Sequence, residues 1–304
     1  MILAKDVTKT FDGVPALKAI SCTIPEGCVW GMVGSNGAGK STFLRLISGV
    51  YRPDSGEVTL DGAPIRENPA AKARICYVPD EVYFLPSSNI DRMAKLYGAA
   101  YARFDTALLK TLADKLELSL SAPISTFSKG MKRQAATILA LAAHPDYYLF
   151  DETFDGLDPV MRAYVKNLIC EDVLSRGACA VITSHSLREL EDTCDQLALL
   201  HKGGLVLQSE TDQLKTSKFK IQIAFAEPFD RSRFTALSPI HYVQHGSVAS
   251  FLVSGEKDEI LNRLQTENPI LLEVLPLSLE EIFTYEMEAL GYHPDAQSPE
   301  ERGL

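Results

Sequence analysis

The residues GSNGAGKST, Gly34–Thr42, set the tightest limit on how this chain can fold. They fit the pattern G-x-x-x-x-G-K-[ST]. The preceding CVWGMVG, Cys28–Gly34, reads as a buried strand ending in glycine. The following STFLRLISGVYRPDSG reads as a helix stopped by Gly49 and Pro53. A glycine-rich turn between strand and helix aims backbone N–H groups inward at a helix N-terminus, which suits a bound phosphate. Gly34, Ser35, Asn36, Gly37, Ala38 and Gly39 are expected to wrap the phosphates of a nucleotide, with Thr42 closing the motif. Lys40 is expected to reach the β- and γ-phosphates, and the Ser41 hydroxyl to ligate Mg²⁺.

A second feature completes such a site. YYLFDE, Tyr147–Glu152, is an apolar strand that delivers Asp151 to a sheet edge, where it can hold Mg²⁺ through water. Glu152 follows, placed to orient an attacking water and take its proton. YYLFDE and ACAVITSH are separated by the helix-like VMRAYVKNLICEDVLSRG. Strand, helix, strand in that order implies a largely parallel sheet. KAISCTIPEG and GEVTLDG instead alternate as antiparallel strands do. Residues from about 87 to 143 read mostly as helix.

Composition narrows the function. A formal net charge of −10 argues against phosphate-driven nucleic-acid binding and against attraction to lipid headgroups. The most apolar run, ATILALAA (Ala136–Ala143), is far too short for a bilayer span, which needs about 20 residues. MILAKDVTKTFDG lacks the apolar core of a signal peptide, so the chain reads as cytosolic. Cys22, Cys28, Cys76, Cys170, Cys179 and Cys194 form no C-x-x-C pair and read as small buried thiols.

Between the two phosphate-site motifs stands TFSKGMKRQ, Thr126–Gln134. Taken alone, it is a helix start capped by Ser128. In its place it resembles the signature of the ATP-binding cassette (ABC) ATPases, usually written LSGGQ. Ser128 and Gly130 match that signature; Phe127, Lys129 and Met131 depart from it. The resemblance runs in order over about residues 1–210. It implies a P-loop NTPase of the ABC ATPase fold, α/β in class, with an antiparallel β subdomain and a helical subdomain at about 87–143. It also implies ATP hydrolysis by a head-to-tail pair of chains. Ser128, Gly130 and their helix N-terminus would then face the γ-phosphate of ATP bound to the other subunit.

The same resemblance assigns further residues. Phe11 would stack on adenine. Asp158 of GLDP, Gly156–Pro159, would touch the other subunit, and His185 of ITSHS would sense the γ-phosphate. Where the family places a glutamine near Mg²⁺ and the attacking water, YVPDEVYF has Asp80. Asp80 would still offer a metal or water contact, although it is shorter, charged and lacks amide donors.

After residue 210 the texture changes. KFKIQIAFAE and ASFLVSGE read as strands, and DEILNRLQTE and SLEEIFTYEMEAL as helices, which makes 211–304 a small α+β accessory domain. The final HPDAQSPEERGL reads as frayed. PLSLEEIFTYEMEALGY, Pro276–Tyr292, is similar to the tail of bacterial ABC-2-type export ATPases of the YtrB-like group. The resemblance therefore implies a subunit that binds ATP and Mg²⁺ and pairs as homodimer or heterodimer. It would drive a separate transmembrane permease, with no nucleic acid and no membrane insertion of its own, from the inner face of the cell membrane. The alternative is a soluble non-transport ABC ATPase acting with ribosomes or DNA.

Overall fold

The structure, a computed structural model, describes residues 1–275 and 277–289. It divides into two compact units, Met1–Ser209 and Glu210–Leu304. In the first, the chain runs through β1 (Ile2–Phe11), β2 (Val14–Ile24), β3 (Val29–Val33), α1 (Lys40–Ile47), β4 (Ser55–Leu60) and β5 (Ala63–Pro64). It continues through α2 (Pro69–Lys72), β6 (Ile75–Val78), α3 (Ile90–Ala100), α4 (Thr106–Lys115), α5 (Lys129–Ala142) and β7 (Tyr147–Asp151). It closes with α6 (Pro159–Arg176), β8 (Cys179–Ser184), α7 (Leu187–Leu190), β9 (Gln196–His201) and β10 (Gly204–Glu210).

Two sheets organise this unit. One has the order β2-β1-β4-β5, with antiparallel pairing throughout. The other has the order β10-β9-β3-β8-β7-β6, and β9, β3, β8, β7 and β6 pair in parallel. The sequence explains the difference. VWGMV, YYLFD and CAVITS are buried at every position, as strands covered on both faces must be. β2 alternates buried and exposed residues along its C-terminal half, as a half-covered antiparallel strand does. Trp30, Phe43, Leu44 and Leu149 join residues of β1 and β2 in one core, so both sheets share their packing with α1.

Helix ends follow local rules. Ser128 caps α5 by accepting from the Met131 N–H at 3.2 Å. Asp158 caps α6, Pro159 takes its first position, and Gly177 ends it in the left-handed conformation. The parallel arrangement brings the C-terminal ends of β3, β6, β7 and β8 to one edge. The phosphate-type loop, the Asp80 loop, the acidic pair and His185 therefore all leave the sheet on the same side.

The second unit holds α8 (Thr211–Ser217), β11 (Lys218–Ala224), β12 (Ile240–His245), β13 (Val248–Ser254), α9 (Lys257–Gln265), β14 (Leu271–Leu275) and α10 (Leu279–Ala289). Its strands form an antiparallel sheet of order β12-β13-β11-β14. Phe219, Ile221 and Ile223 recur every second residue along β11 and bury against Phe234, Phe251 and Leu264. The stretch HPDAQSPEERGL lies outside the described residues, as do Pro276 and the last residues of PLSLEEIFTYEMEALGY.

Candidate active site

The loop between β3 and α1 can be built only with glycine at its tight points. Gly39 has φ +110°, and a Cβ there would lie 2.6 Å from the Ala16 carbonyl oxygen. A Cβ on Gly34 would lie 2.4 Å from the Leu200 carbonyl oxygen. Lys40 opens α1 and is buried. Its ammonium donates to the Gly34 carbonyl at 2.6 Å and the Ser35 carbonyl at 3.3 Å. It also lies 3.1 Å from Glu152 Oε1.

At the end of β7, Asp151 is fully buried. An isolated buried carboxylate is costly, and two hydroxyls offset that cost. Thr183 of β8 donates to Oδ1 at 2.7 Å, and Tyr77 of β6 donates to Oδ2 at 3.2 Å. Burial first, then the Asp151 charge, pushes the Tyr77 phenol above its usual range and keeps it a donor. Glu152 takes φ +47°, unusual for a residue with a side chain. Its N–H is held by Thr183, by the hydroxyl at 3.1 Å and the carbonyl at 3.2 Å. Its other carboxylate oxygen, Oε2, accepts from the His185 N–H at 3.2 Å and lies 2.9 Å from His185 Nδ1. Glu152 thus bridges Lys40 and His185, residues that lie on opposite sides of it in the sequence.

Comparison with known proteins agrees with this geometry. A model of the ABC transporter family matches residues 17–155. The ABC transporter ATP-binding protein YtrB of Bacillus subtilis is 31% identical over 283 residues, covering 93% of this chain and 97% of that protein. This chain belongs to the ABC transporter ATP-binding proteins. The Nod factor export ATP-binding protein I of Rhizobium meliloti is 29% identical, over 91% of this chain and 85% of that protein. The linearmycin resistance ATP-binding protein LnrL of Bacillus subtilis is 31% identical over 70% of each chain. A solved ATP-binding subunit of an ABC transporter superposes with TM-score 0.64 at 26% identity, covering 71% of this chain and 92% of its own. A dimeric cassette in a post-hydrolysis state with ADP and Pi shares the fold at TM-score 0.64 and 21% identity, over 69% of this chain and 99% of its own. The protein is an ATPase, the ATP-binding subunit of an ABC transporter.

The remaining residues of this ABC subunit fall in distinct surroundings. Ser128 is exposed at the N-terminus of α5, and Gly130 lies close against the Gly156 carbonyl, 3.3 Å from where its Cβ would stand. Lys129 reaches Asp155 at 2.8 Å, and that bond, more than any other effect, holds the Asp155 carboxyl below its usual range. Asp158 accepts from the Val160 and Met161 N–H groups at 3.0 and 2.9 Å, so its cap is also its local structural role. Phe11 is partly exposed, edge-on to Tyr51 at 5.5 Å between ring centroids. Asp80 turns to Arg133, with Oδ1 2.9 Å from Nη2.

Three participants are not singled out by the sequence: Tyr77, Thr183 and Arg133. The first two are unremarkable strand residues whose hydroxyls matter only because neighbouring strands pair in register, Asp151 opposite Thr183. Arg133 reads as part of a basic helix start, yet it is almost wholly buried. It donates to the Asp151 carbonyl at 3.2 Å through its other terminal nitrogen.

Proposed function

We propose that this chain is the ATPase of a bacterial export system, working as a nucleotide-closed pair of cassettes under a separate transmembrane permease. The observation that carries the chemistry is the Glu152 carboxylate, held between Lys40 and His185 at the edge where the phosphate loop begins. The loop N–H groups and Lys40 would hold the β- and γ-phosphates. Glu152 would orient water for in-line attack and accept its proton, with His185 sensing the γ-phosphate. Ser128, Gly130 and the start of α5 would complete the site of the other cassette, with Asp158 near that interface. Phe11 would support the adenine.

The hard oxygen donors Ser41 and Asp151 suit Mg²⁺. Mg²⁺ usually takes one or two protein oxygens together with substrate phosphates. Bound there, Mg²⁺ would neutralise charge on the β- and γ-phosphates. Asp151, its carboxylate held by Thr183 and Tyr77, would hold the ion through water.

Export is supported by the relatives whose names include Nod factor export and linearmycin resistance. A permease partner is supported by the loop after Asp80, which exposes Tyr83 and Leu85 beside a groove of about 200 Å³ that Ile124 and Lys132 help to line. A cytoplasmic segment of the permease would cover that loop and keep the ATPase on the inner face of the membrane.

Glu152→Gln tests the reading. The variant should still bind ATP, accumulate as a dimer in size-exclusion chromatography with ATP and Mg²⁺, and lose about 10²-fold or more in turnover. Wild-type turnover in that variant would remove Glu152 from the chemistry.

A further inference from the structure

The carbonyl that Arg133 holds belongs to the peptide joining Asp151 to Glu152. The N–H of that same peptide is the one bonded to Thr183. One peptide plane is therefore gripped at both ends, and it sets the left-handed backbone of Glu152. A residue in that conformation stays there only when its surroundings over-determine it.

Arg133 can do this only if something fixes the guanidinium. Its side chain is 1% exposed, whereas that of Asp80 is 53% exposed. A buried guanidinium needs a charged partner, and Asp80 is the carboxylate that reaches it. The two terminal nitrogens divide the work: Nη1 donates to the Asp151 carbonyl at 3.2 Å and Nη2 to Asp80 Oδ1 at 2.9 Å, while the buried Nε has no hydrogen-bond partner. The connected series is Asp80 carboxylate, Arg133 guanidinium, Asp151 carbonyl, Glu152 backbone.

We propose that Asp80 and Arg133 are positioning residues for Glu152: Asp80 orients Arg133, and Arg133 fixes the peptide that aims the Glu152 carboxylate. This rests on the reading of Glu152 as the water-orienting group. It gives Asp80 a task different from the metal or water contact that its place in the sequence suggests. It also makes the loop carrying Tyr83 and Leu85 continuous, through one ion pair, with the backbone of the hydrolytic carboxylate. Movement of that loop would alter the aim of Glu152 without touching the nucleotide.

The test uses the full chain and steady-state ATP hydrolysis, with kcat, KM for ATP and the Mg²⁺ midpoint measured separately. Asp80→Asn, which keeps the shape and removes the charge, should lower kcat about tenfold while KM and the Mg²⁺ midpoint stay within about twofold. Asp80→Glu, which restores the charge, should recover most of the loss. Arg133→Gln should lower kcat at least as far, and Asp80→Asn added to it should change little further, because the two act as one unit.

A several-fold rise in the Mg²⁺ midpoint of Asp80→Asn would overturn the proposal in favour of a metal contact. Full kcat in Asp80→Asn, or single effects that multiply in the double variant, would also overturn it. Should Arg133→Gln fail to fold in thermal unfolding, the Asp80→Asn and Asp80→Glu pair decides alone, since Asp80 is half exposed. Glu152→Gln measured alongside separates the two ideas. Wild-type turnover there sinks the water-orienting role itself. An inactive Glu152→Gln beside a fully active Asp80→Asn sinks only the positioning.

Discussion

Thr183→Val isolates the bond that makes a buried Asp151 tolerable. The substitution keeps the side-chain shape and replaces a hydroxyl by a methyl at a fully buried position. Two contacts are lost: the 2.7 Å donation to Asp151 Oδ1 and the 3.1 Å acceptance from the Glu152 N–H. The Glu152 N–H keeps the Thr183 carbonyl at 3.2 Å, so its loss is partial. Asp151 keeps only the longer Tyr77 bond at 3.2 Å. A hydrogen bond to a charged group contributes about 1.5–3 kcal/mol, which puts the destabilisation at about 2–3 kcal/mol. For a domain of this size, each kcal/mol moves the thermal midpoint by about 2–4 °C, so a fall of about 4–12 °C is expected. Thr183→Ser is the control. It keeps the hydroxyl and removes one buried methyl, a loss of about 0.8 kcal/mol and a few degrees at most. Thermal unfolding followed by circular dichroism reads both. A valine variant as stable as the serine variant would show that the hydroxyl does not support Asp151.

Two other perturbations probe the neighbouring structure. Gly39→Ala adds a Cβ 2.6 Å from the Ala16 carbonyl at φ +110°. It should lower stability by at least about 2 kcal/mol from backbone strain and crowding together, and weaken ATP binding in calorimetry; an unchanged affinity would mean that the loop does not hold phosphate. Lys129→Ala removes the bond that holds Asp155 below its usual range. The Asp155 carboxyl should then rise toward its ordinary value in an NMR titration. The stabilisation from the intact pair is present above that ordinary value and is lost as pH falls through the depressed one. No upward movement in the variant would rule out Lys129 as the cause.

Much of the fold is legible because it rests on local rules. The buried runs VWGMV, YYLFD and CAVITS announce central strands, and Ser128, Asp158 and Gly177 mark helix ends by chemistry that reaches only a few residues. The glycine loop is equally local, since Gly39 and Gly34 are required by backbone geometry. β12 and β14 carry a weaker signal because both are sheet edges: IHYVQH mixes polar residues, and LLEVL is nowhere fully buried. The site divides along the same line. Asp151, Glu152 and His185 stand at the ends of apolar strands, where a polar residue is conspicuous, and Lys40 is marked by the glycine loop that opens α1. Arg133 is hidden by its company, one basic residue in MKRQ. Its burial depends on which face of α5 packs inward and on an acid 53 positions away. A pattern of residues along the chain carries no signal for a pairing of that range.

The shared edge of the parallel sheet has a consequence for biogenesis. Lys40, Asp80, Glu152 and His185 are spread across most of the first unit, and each is delivered by a different strand. The last central pairings join β3 to β8 and to β9, strands separated by well over a hundred residues. Contacts of that separation carry a large loop-closure cost and slow folding. A nascent chain whose β8 has yet to emerge from the ribosome would therefore carry Lys40 and Glu152 without Thr183 and His185, the residues that hold the acidic pair. Those partners of Asp151 and Glu152 are thus supplied only once β8 joins the sheet.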